Sequence, residues 1–169
     1  MHSVLFRSAR PEVSVSLRDV SSSDLSAFFE HQRDPAANRM AAFTARDPGD
    51  RGAFFARWAG LLADTSIITR CIVWDGRVAG HILCFEQFGK PSVSYWLGRE
   101  FWGRGIATRA LGAFLAACAD RPLYARAARD NLRSLRVLEK CGFALVGADA
   151  DFSVARGERV EELILKLGT

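Results

Sequence analysis

The sequence predicts a mixed α/β domain whose sheet has both antiparallel and parallel neighbours, and three observations carry that prediction. Two β-branched and aromatic runs, 67–74 and 77–85, flank Asp75-Gly76, a strong tight-turn signal, and read as a hairpin. A strand, a glycine turn, an apolar-striped helix and a second strand follow one another from Val93 to Ala127, the order of a right-handed crossover between parallel strands. The tail, Arg159 to Leu167, carries Leu163-Ile164-Leu165 and is expected as a last strand, antiparallel to its neighbour. A length of 169 residues is that of one domain, 1–169, with residues 1–10 expected to be flexible.

Taken in order, Val13 to Leu17 alternates apolar and polar positions and reads as a first strand. Ser21-Ser22-Ser23-Asp24 supplies N-cap chemistry for a helix with Leu25, Phe28 and Phe29 inward, and Asp34-Pro35 ends it. The stretch from Pro35 to Asp50 holds a short helix around Ala37 to Phe43, and another helix from Asp50 to Ala63 places Phe54, Phe55, Trp58, Leu61 and Leu62 largely on one side. Phe43, Phe54, Phe55 and Trp58 serve either as core or as a wall that shapes a substrate pocket.

After the hairpin, Glu86 to Pro91 is expected as a connection, with the central strand entering at Ser92. Val93, Tyr95 and Leu97 then face one way, Ser94 and Trp96 the other. The helix from Gly105 to Ala119 carries Ile106, Ala110, Leu111, Phe114, Leu115 and Cys118 as its apolar stripe. Leu123 to Ala127 is a short strand. Arg129-Asp130-Asn131 caps a helix from Leu132 to Cys141, with Leu132, Leu135 and Leu138 inward and Gly142 at its left-handed end, and Phe143 to Val146 starts another strand.

Composition excludes several classes. No apolar run approaches the ~18 residues of a membrane span, and Met1 to Arg10 lacks the long apolar core of a signal peptide, so a cytoplasmic protein without a membrane partner is expected. Cys71, Cys84, Cys118 and Cys141 stand far apart, and His2, His31 and His81 form no cluster; buried thiols and no metal are expected. The net charge of +4 is concentrated between Arg99 and Lys140, where nine basic residues face four acidic ones. Most of these arginines suit solvent-facing helix sides; a few of them are placed to surround a polyanionic small ligand, and nothing points to nucleic acid.

Trp102-Gly103-Arg104-Gly105-Ile106-Ala107-Thr108 is the stretch around which the chain is organised. Two glycines before a helix serve either connection geometry alone or anion binding, because they put no side chain between the backbone and a ligand and the helix offers unpaired N–H groups. No Gly-Lys-Ser/Thr closes the loop, which removes a Walker A reading, and the dinucleotide fingerprint fails at Thr108.

That turn, preceded by Tyr95-Trp96-Leu97-Gly98 and followed by Asn131-Leu132-Arg133-Ser134 and Lys140-Cys141-Gly142-Phe143, resembles the GCN5-related N-acetyltransferases (GNAT), most closely the branch that acetylates ribosomal-protein N-termini. The resemblance covers nearly the whole chain. It implies a central, mostly antiparallel sheet with a splayed parallel strand pair and helices on both faces. It implies acetyl-CoA as co-substrate and an amine acceptor, either a protein N-terminus or a small molecule, acetylated by direct attack in a ternary complex. Dimers through the last strands are frequent in this family, so a homodimer is one expected assembly.

Residue by residue, the resemblance places the pyrophosphate on the turn, with Trp102, Gly103, Arg104, Gly105, Ile106, Ala107 and Thr108 around it. Backbone groups of Trp96 and Leu97 would pair with the pantetheine amides, the N–H near Leu97 would polarise the thioester carbonyl, and Asn131 would hold the pantetheine arm. The family's thiolate-protonating Tyr is replaced here by Leu138; the ribosomal branch implies Ser134, one turn after Asn131, as the substitute acid, with a helix-surface or cap serine as the alternative. The branch's Glu after the Gly-Phe pair is replaced by Val146. Glu86 is then the first candidate for the general base, with His81 or a water-linked strand backbone as others. The missing Tyr and Glu keep a second class open, a non-catalytic acyl-CoA-binding module.

Overall fold

The computed structural model describes residues 14–169; Val13 and the segment 1–10 lie outside the described residues. Seven strands form one sheet: β1 Val15–Arg18, β2 Ile68–Trp74, β3 Arg77–Gln87, β4 Lys90–Leu97, β5 Leu123–Ala128, β6 Ala144–Ser153 and β7 Glu158–Leu167. Their order is β1-β2-β3-β4-β5-β7-β6, and every neighbouring pair is antiparallel except β4 and β5. Five helices pack on it: α1 Leu25–Arg33, α2 Pro35–Ala41, α3 Arg51–Ala63, α4 Ile106–Ala117 and α5 Leu132–Lys140.

Strand alternation splits the core in two. Ile72, Ile82 and Cys84 join the stripes of α4 and α5 on one face, while Cys71 and Leu83, their neighbours in sequence, join Phe28, Phe29, Phe54 and Trp58 of α1 and α3 on the other. Helices therefore cover both faces.

Several elements differ from their sequence reading. Asp34-Pro35 ends α1 and also starts α2, because the Asp34 carboxylate accepts the Ala36 N–H at 3.0 Å and proline suits the first helical position. The expected connection 86–91 shrinks to Phe88-Gly89: β3 runs on to Gln87 and β4 begins at Lys90, with Pro91 tolerated as its second residue. Leu132, expected inward, is 58% exposed because it is the first residue of α5, ahead of the turn that meets the sheet. Beyond Val146, β6 continues to Ser153 and forms a long hairpin with β7.

An ion pair ties β1 to the start of α1. The Asp24 carboxylate is 3% exposed, accepts both Arg18 guanidinium nitrogens at 2.7 and 2.8 Å, and accepts the Ser21 N–H at 2.8 Å. Arg18 is the main reason that the Asp24 carboxyl lies below its ordinary value, with burial opposing and Ser21 assisting. A depressed folded value means stabilisation that is complete above the unfolded value of about 3.9 and lost as pH falls through the lower folded one. Thermal unfolding between pH 2 and 6 is expected to show a steep acid limb below about pH 4 that flattens in Asp24→Asn; limbs of equal slope would contradict this role.

Candidate active site

The site lies where β4 and β5 part. The two strands share one register pair, Ser92 with Tyr124, and diverge beyond it. On the other side β4 is fully engaged with β3: Gly80 faces Leu97, and the Gly98 N–H donates to the Ala79 carbonyl at 3.0 Å. In an antiparallel ladder that bond pattern turns the backbone groups of Trp96 toward β3 and those of Tyr95 and Leu97 away from it, into the gap. The close approach of the two strands requires Gly80, since a Cβ there would sit 1.9 Å from the Trp96 carbonyl oxygen. Leu97 thus offers its N–H to the gap. Trp96 lines the cavity, but its backbone groups go to β3; Tyr95 takes that backbone position instead.

Leu97 leads into the glycine turn. The Trp102 indole N–H donates to the Leu97 carbonyl at 3.2 Å and Phe101 is buried beneath, which pins the loop to the end of β4. Gly103 and Gly105 have φ of +73° and +75°, a left-handed conformation that side chains with a Cβ adopt at a cost. Gly105 is the N-cap of α4 and carries no side chain to cap it; the first intrahelical bond runs from the Arg109 N–H to the Gly105 carbonyl. The N–H groups of Ile106, Ala107 and Thr108, all three cavity-lining residues, precede that bond.

Two basic side chains trade places relative to expectation. Arg104 stacks over the Trp74 ring at 5.1 Å, away from the turn it was expected to charge. Arg133 lies over the Trp102 ring at 5.5 Å, and its Nη1 is the nearest group to a Cβ built on Gly103, at 3.8 Å. Spacing alone does not reveal this, because Arg133 comes from α5, across the gap. Arg136 and Lys140 of the same helix also line the cavity, which has a volume of about 350 Å³.

On the wall opposite the turn, the Asn131 side chain caps α5 by accepting the Ser134 N–H at 3.2 Å, and both residues line the cavity. The Ser134 hydroxyl is 2.9 Å from the phenolic oxygen of Tyr95. Burial pushes the Tyr95 phenol up to about 12, against the opposing pull of Ser134, so it stays protonated at neutral pH. Tyr95 is the residue that sequence reasoning missed: its place on the same face of β4 as Val93 and Leu97 was legible, its meeting with α5 was not. Leu138, at the family's Tyr position, is buried in the core.

Glu86 is not brought to this place. It is exposed and pairs with Pro91, six residues along β3 from Gly80 and Leu97, which is about 20 Å of extended strand. His81 lies between the rings of Phe28 and Trp58 at 4.8 and 4.9 Å, and burial, with Arg57 and His31 assisting, lowers it to about 3. Phe54 and Trp58 are core; the cavity wall on that side is Ala37, Met40 and Ala41 of α2. Among the described residues that line the cavity there is no carboxylate.

Among the described residues no group of three or more His, Cys, Asp or Glu side chains is arranged to hold a metal ion, the four cysteines are free, and no helix is long and apolar enough to cross a membrane. A family model described as an acetyltransferase (GNAT) domain matches residues 14–144. The chain belongs to the GNAT acetyltransferases. No curated protein sequence matches it. Among solved structures, this GNAT chain is similar to Mycobacterium smegmatis RimJ in complex with CoA-disulfide, with a TM-score of 0.75 at 22% identity over 90% of this chain and 81% of that one. An N-acetyltransferase from Staphylococcus aureus Mu50 gives a TM-score of 0.77 at 18% identity, covering 91% of this chain and 98% of that one. RimL, a ribosomal L7/L12 alpha-N-protein acetyltransferase in complex with coenzyme A, gives 0.71 at 18% identity, covering 92% and 98%. At these identities the likeness is one of fold.

Proposed function

We propose that this single domain is an N-acetyltransferase that moves the acetyl group of acetyl-CoA to a primary amine by direct attack in a ternary complex. The observation that carries the reading is an uncapped helix start behind two left-handed glycines, opening into a cavity beside an outward-facing strand N–H. Unpaired N–H groups of Ile106 to Thr108 and the Arg133 guanidinium suit the pyrophosphate, and Asn131 suits the pantetheine amides. Acetyl-CoA supplies an activated thioester.

The chain's own residues then have a modest task. The Leu97 N–H stabilises the charge that grows on the carbonyl oxygen as the amine attacks. Ser134 donates a proton to the departing thiolate and takes one in turn from the Tyr95 phenol across their shared hydrogen bond; the phenol is reprotonated from water, which balances the proton that the amine gives up. With no carboxylate among the described residues that line the cavity, the amine loses its proton to water in this scheme.

The acceptor is a protein N-terminus or a small amine. RimL, a ribosomal L7/L12 alpha-N-protein acetyltransferase whose fold this chain shares, favours testing the first. The test is to incubate the purified protein with acetyl-CoA labelled on the acetyl group and a cell extract, whole and desalted. Label on macromolecules in both extracts supports a protein acetyltransferase, and label confined to small molecules supports a metabolite acetyltransferase. Acetyl-CoA binding with no transfer and no release of coenzyme A would instead make the chain an acyl-CoA-binding module.

A further inference from the structure

The turn between β6 and β7 reaches the end of α2 and the residue before the N-cap of α5. Arg156 lies on it, and its side chain is only 10% exposed. Its Nη1 and Nη2 donate to the two carboxylate oxygens of Asp130 at 2.7 and 2.9 Å. Its Nε donates to the Arg39 carbonyl at 2.7 Å, and Nη2 also reaches the Met40 carbonyl at 3.2 Å. Asp130 immediately precedes Asn131, the N-cap of α5, and Met40 is one of the α2 residues that wall the cavity. One planar guanidinium therefore joins the wall that carries Asn131 and Ser134 to the wall made by α2.

The same turn stabilises an unfavourable backbone. Ala42, fully buried at the end of α2, has φ of 66° and ψ of −50°, and the Phe43 N–H donates to the Ala41 carbonyl at 2.8 Å. This is the rare, strained form of three-residue turn. The Ala42 carbonyl accepts the hydroxyl of Ser153, a fully buried side chain, and that hydroxyl in turn accepts the Arg156 N–H at 3.2 Å. Strained backbone persists where its surroundings over-determine it. Here those surroundings are Ser153 and Arg156, and a helix of seven residues has little stability of its own to substitute for them.

We propose that Arg156 is a positioning residue for the acceptor side of the site: it sets the distance between α2 and the Asn131 loop, and so the width of the cleft through which the amine approaches the thioester. The proposal rests on the acetyltransferase reading for its consequence, though not for its geometry. Arg156 touches no reacting atom; its effect passes through α2.

Arg156→Met removes the fork, keeps much of the apolar stem, and leaves Asp130 without its partner but 65% exposed, so no charge is stranded in the interior. Backbone amide exchange at residues 40–43 is expected to rise at least about ten-fold, and half-saturation with the extract fraction that takes the label to rise about ten-fold. Coenzyme A affinity by calorimetry is expected to stay within about three-fold, since the glycine turn and Arg133 are untouched. Arg156→Lys, which restores the charge toward Asp130 without the fork to α2, is expected to fall between the two. Unchanged exchange at α2, or a loss of coenzyme A affinity as large as the acceptor effect, overturns the proposal. A wild-type protein that labels no fraction would overturn the acetyltransferase reading instead, while the exchange measurement still decides whether Arg156 holds α2.

Discussion

Gly105→Glu is expected to abolish coenzyme A binding, by more than about 100-fold, while the protein remains folded. Position 105 is the cap of α4, in front of the three N–H groups assigned to the pyrophosphate. A carboxylate there adds like charge beside the phosphates and can itself accept those N–H groups as an internal cap. A Cβ at Gly105 meets nothing within 4 Å, so the substitution clashes with no neighbour. Its φ of +75° costs any residue with a Cβ about 1 kcal/mol. Gly105→Ala carries that same backbone cost without the charge and should lose less than about ten-fold in affinity. Calorimetric titration of both variants with coenzyme A, with circular dichroism as the check on folding, separates the two causes. Unchanged affinity in Gly105→Glu would sink the phosphate assignment.

Ser134→Ala is expected to lower kcat by about 100-fold or more, the scale of a lost general acid, with KM for acetyl-CoA within about three-fold of wild type. Tyr95→Phe keeps the ring and removes the hydroxyl that stands 2.9 Å from Ser134, so about a ten-fold loss in kcat is expected if the phenol supplies Ser134 with its proton. The pH profile adds a signature that a packing defect does not produce. The Tyr95 phenol, held at about 12, stays protonated throughout the working range and keeps Ser134 supplied. The rate should therefore rise with pH as the acceptor amine becomes neutral and then level off, with no descending limb below about pH 10. A descending limb near pH 8 or 9 that survives in both variants would assign the proton to another group.

Much of the architecture was legible because it is local. Asp75-Gly76 selects a two-residue turn whatever surrounds it, and the stripe from Ile106 to Phe114 can be buried on only one side. The glycine turn was legible for the same reason: the need for positive φ and for a bare helix start is written in consecutive residues. Phe88-Gly89 was hidden because an aromatic residue at φ of 52° is a poor turn signal, and Pro91 looked like a boundary when it is the second residue of a strand.

The site was legible only as far as one segment carries it. Glu86 was reasonable as an acidic residue at the end of the second hairpin strand, but strand register is a matter of distance, and six positions from the Gly80–Leu97 pair put it at the far end of β3. Arg104 is next to the phosphate turn in sequence and is drawn off by the Trp74 ring, whereas Arg133 is distant in sequence and sits beside Gly103. Cation–π partners and cross-gap neighbours are set by how elements pack, which no local pattern encodes.

By itself, then, the sequence determined the order of elements, the anion-ready turn and the family, because hydrophobic period, turn chemistry and helix caps act over a few consecutive residues. Tertiary structure alone decided that Tyr95 meets Ser134, that the Trp96 backbone is spent on β3 while Leu97 faces the gap, and that Arg156 spans from α2 to Asp130. Each of these joins groups from different elements, and such meetings depend on sheet register and helix docking, which arise only once the whole core is packed.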